Sequence, residues 1–272
     1  DASVAFKEIN DSYDVITIDY VVSHVTDSGE TEYYNVEEYF RLRPTDTRMY
    51  VLNYERTMNQ IFNSENSFAK DPTNIMLGIR DGSVEYKTNE AENVVAFVQQ
   101  GDLFSYNQTN NELTKVFSFR SPEGIDIREN WNQHDIKIVS VDEAGSIDFI
   151  VYGYMNRGNH EGEVGTCVYH YDGLAHTIEE EAFIPSKSSY EVLKAEMGKL
   201  LYVNENGILY LMFEGNVYEI KLDSLKVEKI VKNLEAGCYA TSYDNQYFSW
   251  VDVDSQYSTT ELSVMNLKTK EV

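Results

Sequence analysis

Five histidines, 46 acidic residues and two cysteines are the groups in this 272-residue chain whose types suit metal, acid–base or thiol chemistry. His24, His134, His160, His170 and His176 fall at no HExxH or comparable ligand spacing. The richest contact chemistry lies in the polar stretch Asn156-Arg157-Gly158-Asn159-His160-Glu161-Gly162-Glu163, which links two expected strands. Arg157 with Asn156, Asn159, His160 and Glu161 could grip a carboxylate or a sugar, because a guanidinium fork matches a carboxylate and a rigid sheet holds such loops in place. The plainer alternative is a solvated hairpin loop. Asp252-Val253-Asp254 with Glu261 could coordinate calcium through alternating carboxylates, but the EF-hand glycine and ligand series are absent. With so many acids, carboxylate pairs arise by chance, so a paired-carboxylate glycosidase has no distinguishing mark. No GxSxG elbow, Walker loop or GxGxxG occurs. Cys167 and Cys238 belong to no CxxC and are expected as two buried thiols, with a disulfide between them as the alternative. No catalytic residue, metal site or cofactor is expected.

The elements that would position these residues are strands. Runs rich in Val, Ile, Tyr, Phe and Thr, often alternating in polarity, cover Val15–Val25, Ile136–Val141, Ile147–Tyr154, Leu200–Val203, Ile208–Phe213 and Tyr247–Val253. Asp81-Gly82, Glu143-Ala144-Gly145, Asn204-Glu205-Asn206-Gly207 and Asp244-Asn245 punctuate them as turns. Connections this short make antiparallel hairpins. A hairpin of one form recurs: apolar alternation, Asn or Asp, a polar turn, a second strand. It fits Met49–Asn53 leading to Gln60–Phe62, Leu103–Asn107 to Leu113–Phe117, Val168–Asp172 to Ile178 and Ala182–Ile184, Val217–Asp223 to Val227–Val231, and Leu262–Leu267. Another strand pair precedes each of the last three. The chain 1–272 is therefore read as one propeller-like, all-β domain, a fragment of a longer protein, with about five four-stranded units near 13–62, 74–119, 134–184, 198–231 and 236–272. An antiparallel sandwich pair is the alternative.

One helix interrupts the strands. Ser188 and Glu191 have capping-box spacing, and Leu193 and Met197 then share a face until Gly198. Thr57–Asn63 is ambiguous, since Met58, Ile61 and Phe62 have helical spacing where the repeat wants a strand. Ser3–Ile9 could supply the outer strand missing after Leu267 and so close a ring.

The four-stranded pattern with its YD-type turn, as at Tyr171-Asp172, resembles WD40-like and related bacterial β-propeller repeats, in particular exported, membrane-anchored ones. It departs from WD40 proper in lacking Gly-His and Trp-Asp: Trp131 is followed by Asn132 and Trp250 by Val251. Ser140-Val141-Asp142-Glu143-Ala144-Gly145-Ser146 is faintly similar to the sialidase Asp-box turn, with one residue too many and no aromatic end.

The charge of −24 opposes binding to nucleic acid or an anionic lipid surface. A hydrophobic share of 42% is ample for a packed core. No apolar run reaches the roughly 18 residues of a membrane span and the amino terminus has no signal-peptide pattern, so no transmembrane segment is expected in this chain. Tyrosines beside the strands, among them Tyr33, Tyr34, Tyr152, Tyr169, Tyr171 and Tyr257, suit protein or carbohydrate contacts. Together these features imply a non-enzymatic recognition or scaffold domain binding an unidentified protein or extracellular ligand. It would sit outside the cytoplasm, anchored to a cell envelope through a segment absent here. The competing expectation is a propeller hydrolase acting on a glycan or lactone through channel carboxylates.

Overall fold

Alternating polarity and short Asx-rich turns commit the chain to antiparallel hairpins, and a computed structural model shows how they assemble. It describes residues 2–63, 66, 69–71, 74–75, 84–120, 127–204, 206–222, 224, 226–253 and 259–272. The Asp81-Gly82 turn, Tyr257 and the carboxylate pair of Asp252 and Asp254 lie outside what is described. The fold is all-β, and two compact units, 1–84 and 85–272, divide the chain.

In the first unit β1 (Ala2–Ile9), β2 (Asp14–Val25), β3 (Thr31–Pro44) and β4 (Met49–Ile61) form one meander in that order. Two short strands, β5 (Ala69–Asp71) and β6 (Asn74–Ile75), pair with each other. Three expectations are corrected here. Met49–Ile61 is one strand laddered to β3 along its length, so the predicted hairpin within it is absent and Thr57–Ile61 is extended. Its odd-numbered positions Asn53, Glu55, Thr57 and Asn59 are polar and share a face, which is strand alternation; the helical spacing of Met58 and Ile61 is accidental. Four strands are completed only by including β1, so the span 13–62 holds three. Ser3–Ile9 pairs with β2 in its own sheet, not with the strand that ends at Asn266. Across that sheet Phe6, Ile16, Phe40 and Tyr54 are register partners, with the Phe40 and Tyr54 rings 4.9 Å apart.

The second unit is a partial propeller of stacked up-and-down sheets. These are β7 (Tyr86–Thr88), β8 (Val94–Gln99), β9 (Asp102–Asn107) and β10 (Glu112–Phe117); β11 (His134–Val141), β12 (Ile147–Tyr154), β13 (Val164–Asp172) and β14 (Thr177–Pro185); β15 (Leu201–Val203), β16 (Ile208–Phe213), β17 (Asn216–Lys221) and β18 (Lys226–Val231); and β19 (Tyr239–Thr241), β20 (Tyr247–Val253) and β21 (Thr259–Asn266). Strand alternation gives each inner sheet two apolar faces. From β12, Ile147, Phe149 and Val151 pack toward Val98, Leu103 and Val116 of the preceding sheet. Ile150 and Tyr152 point the other way, toward Leu209, Leu211 and Phe213. Tyr210 and Met212 then meet Phe248 and Met265 of the last sheet. Burial on this scale contributes about 1.5–3 kcal/mol for each large side chain, which is what holds sheet on sheet.

Equivalent turns use equivalent chemistry. Asn107, Asp172 and Asn266 each accept two backbone N–H bonds, from residues two and three further on, at 2.8–3.2 Å. Asn111, His176 and Lys270, four residues beyond each, are left-handed. At the first turn of successive sheets Asn89, Asp142 and Asn204 each accept a backbone N–H bond from the residue four further on. Short polar side chains can accept these bonds and tolerate the geometry, which is why the repeat is visible in the sequence.

Helix α1 (Tyr190–Glu196) lies between β14 and β15, and Leu193 and Met197 bury into the core between the second and third of these sheets. The capping box does not form: the N-cap is Ser189, with no side-chain cap bond. Ser188 Oγ instead donates to Glu214 Oε1 at 2.7 Å, beside Ser186 Oγ at 2.6 Å. A carboxylate from a neighbouring turn, offering charge-assisted bonds, wins over the local amide.

Candidate functional site

The five residues singled out in the polar loop are brought together, and their partners lie within the chain. Segment 155–163 replaces the two-residue turns Gln100-Gly101 and Glu214-Gly215 that join the middle strands in the sheets before and after it. Its neck is closed by Met155 N–H to Glu163 O and Gly162 N–H to Met155 O, both 2.9 Å. Asn156 is buried and its Nδ2 donates to the carbonyls of Glu129 (3.2 Å) and Trp131 (2.8 Å), while its Oδ1 has no partner. Arg157 pairs with the buried Glu129 at 3.1 Å and with Glu161 at 3.6 Å, and Arg128 reaches Glu161 at 2.6 Å. His160 stacks on Phe183 with centroids 3.7 Å apart and places Nε2 2.9 Å from Glu180, to which Asn159 also donates. The result is a loop braced from within the chain, and Trp131, tethered to it through its carbonyl, is 54% exposed as a residue.

A second constellation emerges only from strand register. Asp148 on β12 is directly opposite Ser140 on β11 and His170 on β13. Ser140 Oγ donates to Asp148 Oδ2 at 2.6 Å, and His170 Nδ1 lies 2.7 Å from Asp148 Oδ1. The ladder between β13 and β14 slips where Val168 faces Ala182 but Tyr169 faces Glu180, leaving Glu181 as the extra residue. A bulge re-aims side chains, and here it brings the Glu181 carboxylate to the same face as His170. One ligand atom from each of Asp148, His170 and Glu181 lies within 4.8 Å of the others. Burial and then the Asp148 carboxylate push the Glu181 carboxyl up to about 7. Burial alone would lower the His170 pKa, but its hydrogen bond to Asp148 and that residue's charge outweigh it and raise it above 6.5. This is not a hydrolytic triad: Ser140 and His170 both bond to Asp148, so no imidazole activates the serine.

Sequence reasoning missed this group because its members are far apart and in no motif; His170 stood out only as one of five histidines. The faint Asp-box resemblance at Ser140–Ser146 resolves into a simple turn, with Asp142 Oδ1 accepting from Ser146 N–H at 2.7 Å. Cys167 is buried and Cys238 half-buried, both as free thiols, and burial pushes the Cys167 thiol up to about 12, so it is unreactive. A small cleft between the first two sheets of this unit carries Ser105, Glu112, Thr114, Tyr171 and His176, with Tyr171 Oη 2.7 Å from His176 Nδ1.

The class these features define is an all-β protein of antiparallel sheets, with three- and four-stranded ones stacked in the second unit around an enlarged turn and a polar cluster. No family model and no curated relative matches the chain. Among solved structures it is similar to a Mycobacterium tuberculosis puromycin-hydrolyzing peptidase, at 9% identity and a TM-score of 0.44 over 99% of this chain and 44% of that one. A protein of unknown function from Bacteroides thetaiotaomicron shares 11% identity with a TM-score of 0.40, over 97% of this chain and 70% of the other. The Vibrio parahaemolyticus oligogalacturonate lyase shares 9%, with a TM-score of 0.30 over 99% and 83%. The chain thus spans less than half the length of the peptidase it matches.

Proposed function

We propose that this chain is a non-catalytic recognition domain that binds a protein or other extracellular ligand through the 155–163 loop and the Trp131 indole beside it. The supporting observation is the enlarged, internally braced turn where sister sheets make two-residue turns, with an exposed tryptophan fixed at its base. A loop already rigid before binding loses little entropy on contact, and tryptophan and arginine dominate recognition energetics. Asn156, Arg157, Asn159, His160 and Glu161 build the platform. Kinship with WD40-like repeat proteins and a place outside the cytoplasm belong to the same proposal. The first draws on the four-stranded repeat with matched Asx turns. The second predicts that a membrane-impermeant thiol reagent labels half-buried Cys238 in intact cells.

Binding to arrays of oligosaccharides and of immobilised peptides tests the reading. Trp131→Ala is expected to weaken any specific binding at least tenfold while leaving the thermal midpoint unchanged. Binding indifferent to Trp131 and to Arg157→Ala would move the contact surface elsewhere. Turnover of a chromogenic glycoside or lactone, lost in Glu181→Gln, would replace recognition by the hydrolase reading, which draws on the Asp148, His170 and Glu181 cluster.

A further inference from the structure

We propose that Asp148, His170 and Glu181 form a binding site for a divalent transition-metal ion of the zinc type. Three adjacent strands each contribute one donor to one face of one sheet, and those donors lie within 4.8 Å of one another. That separation lets a small ion contact all three after slight side-chain rotation, since zinc binds imidazole nitrogen and carboxylate oxygen at about 2.0–2.2 Å.

Two observations set this group apart from the acids elsewhere on the chain. Glu181 Oε2 is shut from solvent and has no hydrogen-bond partner. A buried carboxylate oxygen left without a donor is costly, and a cation supplies the missing partner. The same bulge recurs between the third and fourth strands of the sheets before and after this one, where the extra residue is the apolar Val116 or Ile230; here it is a carboxylate. Ser140, bonded to Asp148 Oδ2 at 2.6 Å, orients that carboxylate from outside the donor set, as supporting residues do around metal ligands. The donor set also selects the ion. One imidazole with two carboxylates suits zinc and its neighbours, whereas calcium asks for six to eight oxygens. Side-chain exposures of 18% for Asp148 and 39% for His170 leave an entry path and a free coordination position for water.

Zinc titration of the whole metal-free chain by calorimetry, in excess Ca²⁺ to occupy the general acidic surface, tests the assignment. One tight equivalent is expected, weakened at least tenfold by His170→Ala and by Glu181→Gln, and also by Ser140→Ala. Glu191→Gln, on the helix, is expected to change nothing. Glu181→Gln keeps the side chain's shape and removes a repelled charge, so it stays folded in the metal-free state, as a thermal melt would verify. X-ray absorption of the bound zinc is expected to show one imidazole. The proposal is overturned if no equivalent survives Ca²⁺, if the variants bind as the parent does, or if the zinc shell is all oxygen.

Discussion

His134 shows how a single residue ties two sheets together. It opens β11, edges onto the Phe119 ring at 4.8 Å and places Nδ1 3.1 Å from the Trp131 carbonyl. Burial lowers its pKa below the ordinary 6.5. The unfolded chain therefore takes up a proton that the folded chain resists. Its contribution to stability is complete above about 6.5 and is lost as pH falls toward the depressed folded value. Glu181, raised to about 7, shifts stability the opposite way over the same range, so the loss is read as the difference between the parent and His134→Gln in urea unfolding at pH 7.5 and pH 5.5. On the other side of the ring lies Gly101, at φ +76°, where a Cβ would come 2.8 Å from His134 Nε2. Gly101→Ala is expected to destabilise by at least the roughly 1–2 kcal/mol of a left-handed alanine, with the clash added, read from the same urea curves. No residue-level pattern announced this contact, because Gly101 and His134 belong to different sheets.

Among the elements, the Asx turns were the most legible. Asn107, Asp172 and Asn266 stand where the hairpin repeat asks for Asn or Asp, because the turn needs an acceptor for two consecutive amides. Asn204 adds a function that spacing does not reveal. Its Oδ1 holds its own turn, while Nδ2 donates to Leu267 O at 3.1 Å and so links the third sheet of its unit to the last. Asn204→Ala is expected to cost about 1–3 kcal/mol, since buried donors and acceptors are left unpaired, measurable as a fall in the chemical-denaturation midpoint. Asn204→Asp keeps the turn bonds but loses the donor to Leu267, and is expected to be destabilised too. Helix α1 was legible in position but not in its cap, because Glu214, from a turn between two later strands, competes for Ser188. The strand β4 was misread for a similar reason: its partner β3 decides its conformation along its whole length.

At the scale of the molecule the charge of −24 dominates. Ion pairs such as Arg120–Asp102 at 2.8 Å and Lys270–Glu219 at 2.6 Å engage only part of it, so the folded chain is under net self-repulsion. Added NaCl is expected to raise the thermal midpoint, since screening shortens the reach of that repulsion to about 10 Å at 0.1 M. A flat or falling midpoint would mean that the ion pairs outweigh it. Acidification toward the isoelectric point near 4.5 is expected to lower solubility, as turbidity would report.

Composition, alternation and turn residues by themselves determined that this protein is all-β, built from short antiparallel hairpins, and strongly acidic. These properties arise within a few residues, where a pleat sets the side of each chain and an Asx side chain caps its own turn. Only the tertiary structure decided which groups meet. Asp148, His170 and Glu181 share a face because three strands pair in one register and slip by one residue, and a slip of one exchanges the two faces of a strand. The polar loop became a braced platform because Glu129 and Glu180, outside it in the chain, fold back against it. Pairing across such separations depends on the balance of all the sheets at once, and no local run of residues carries it.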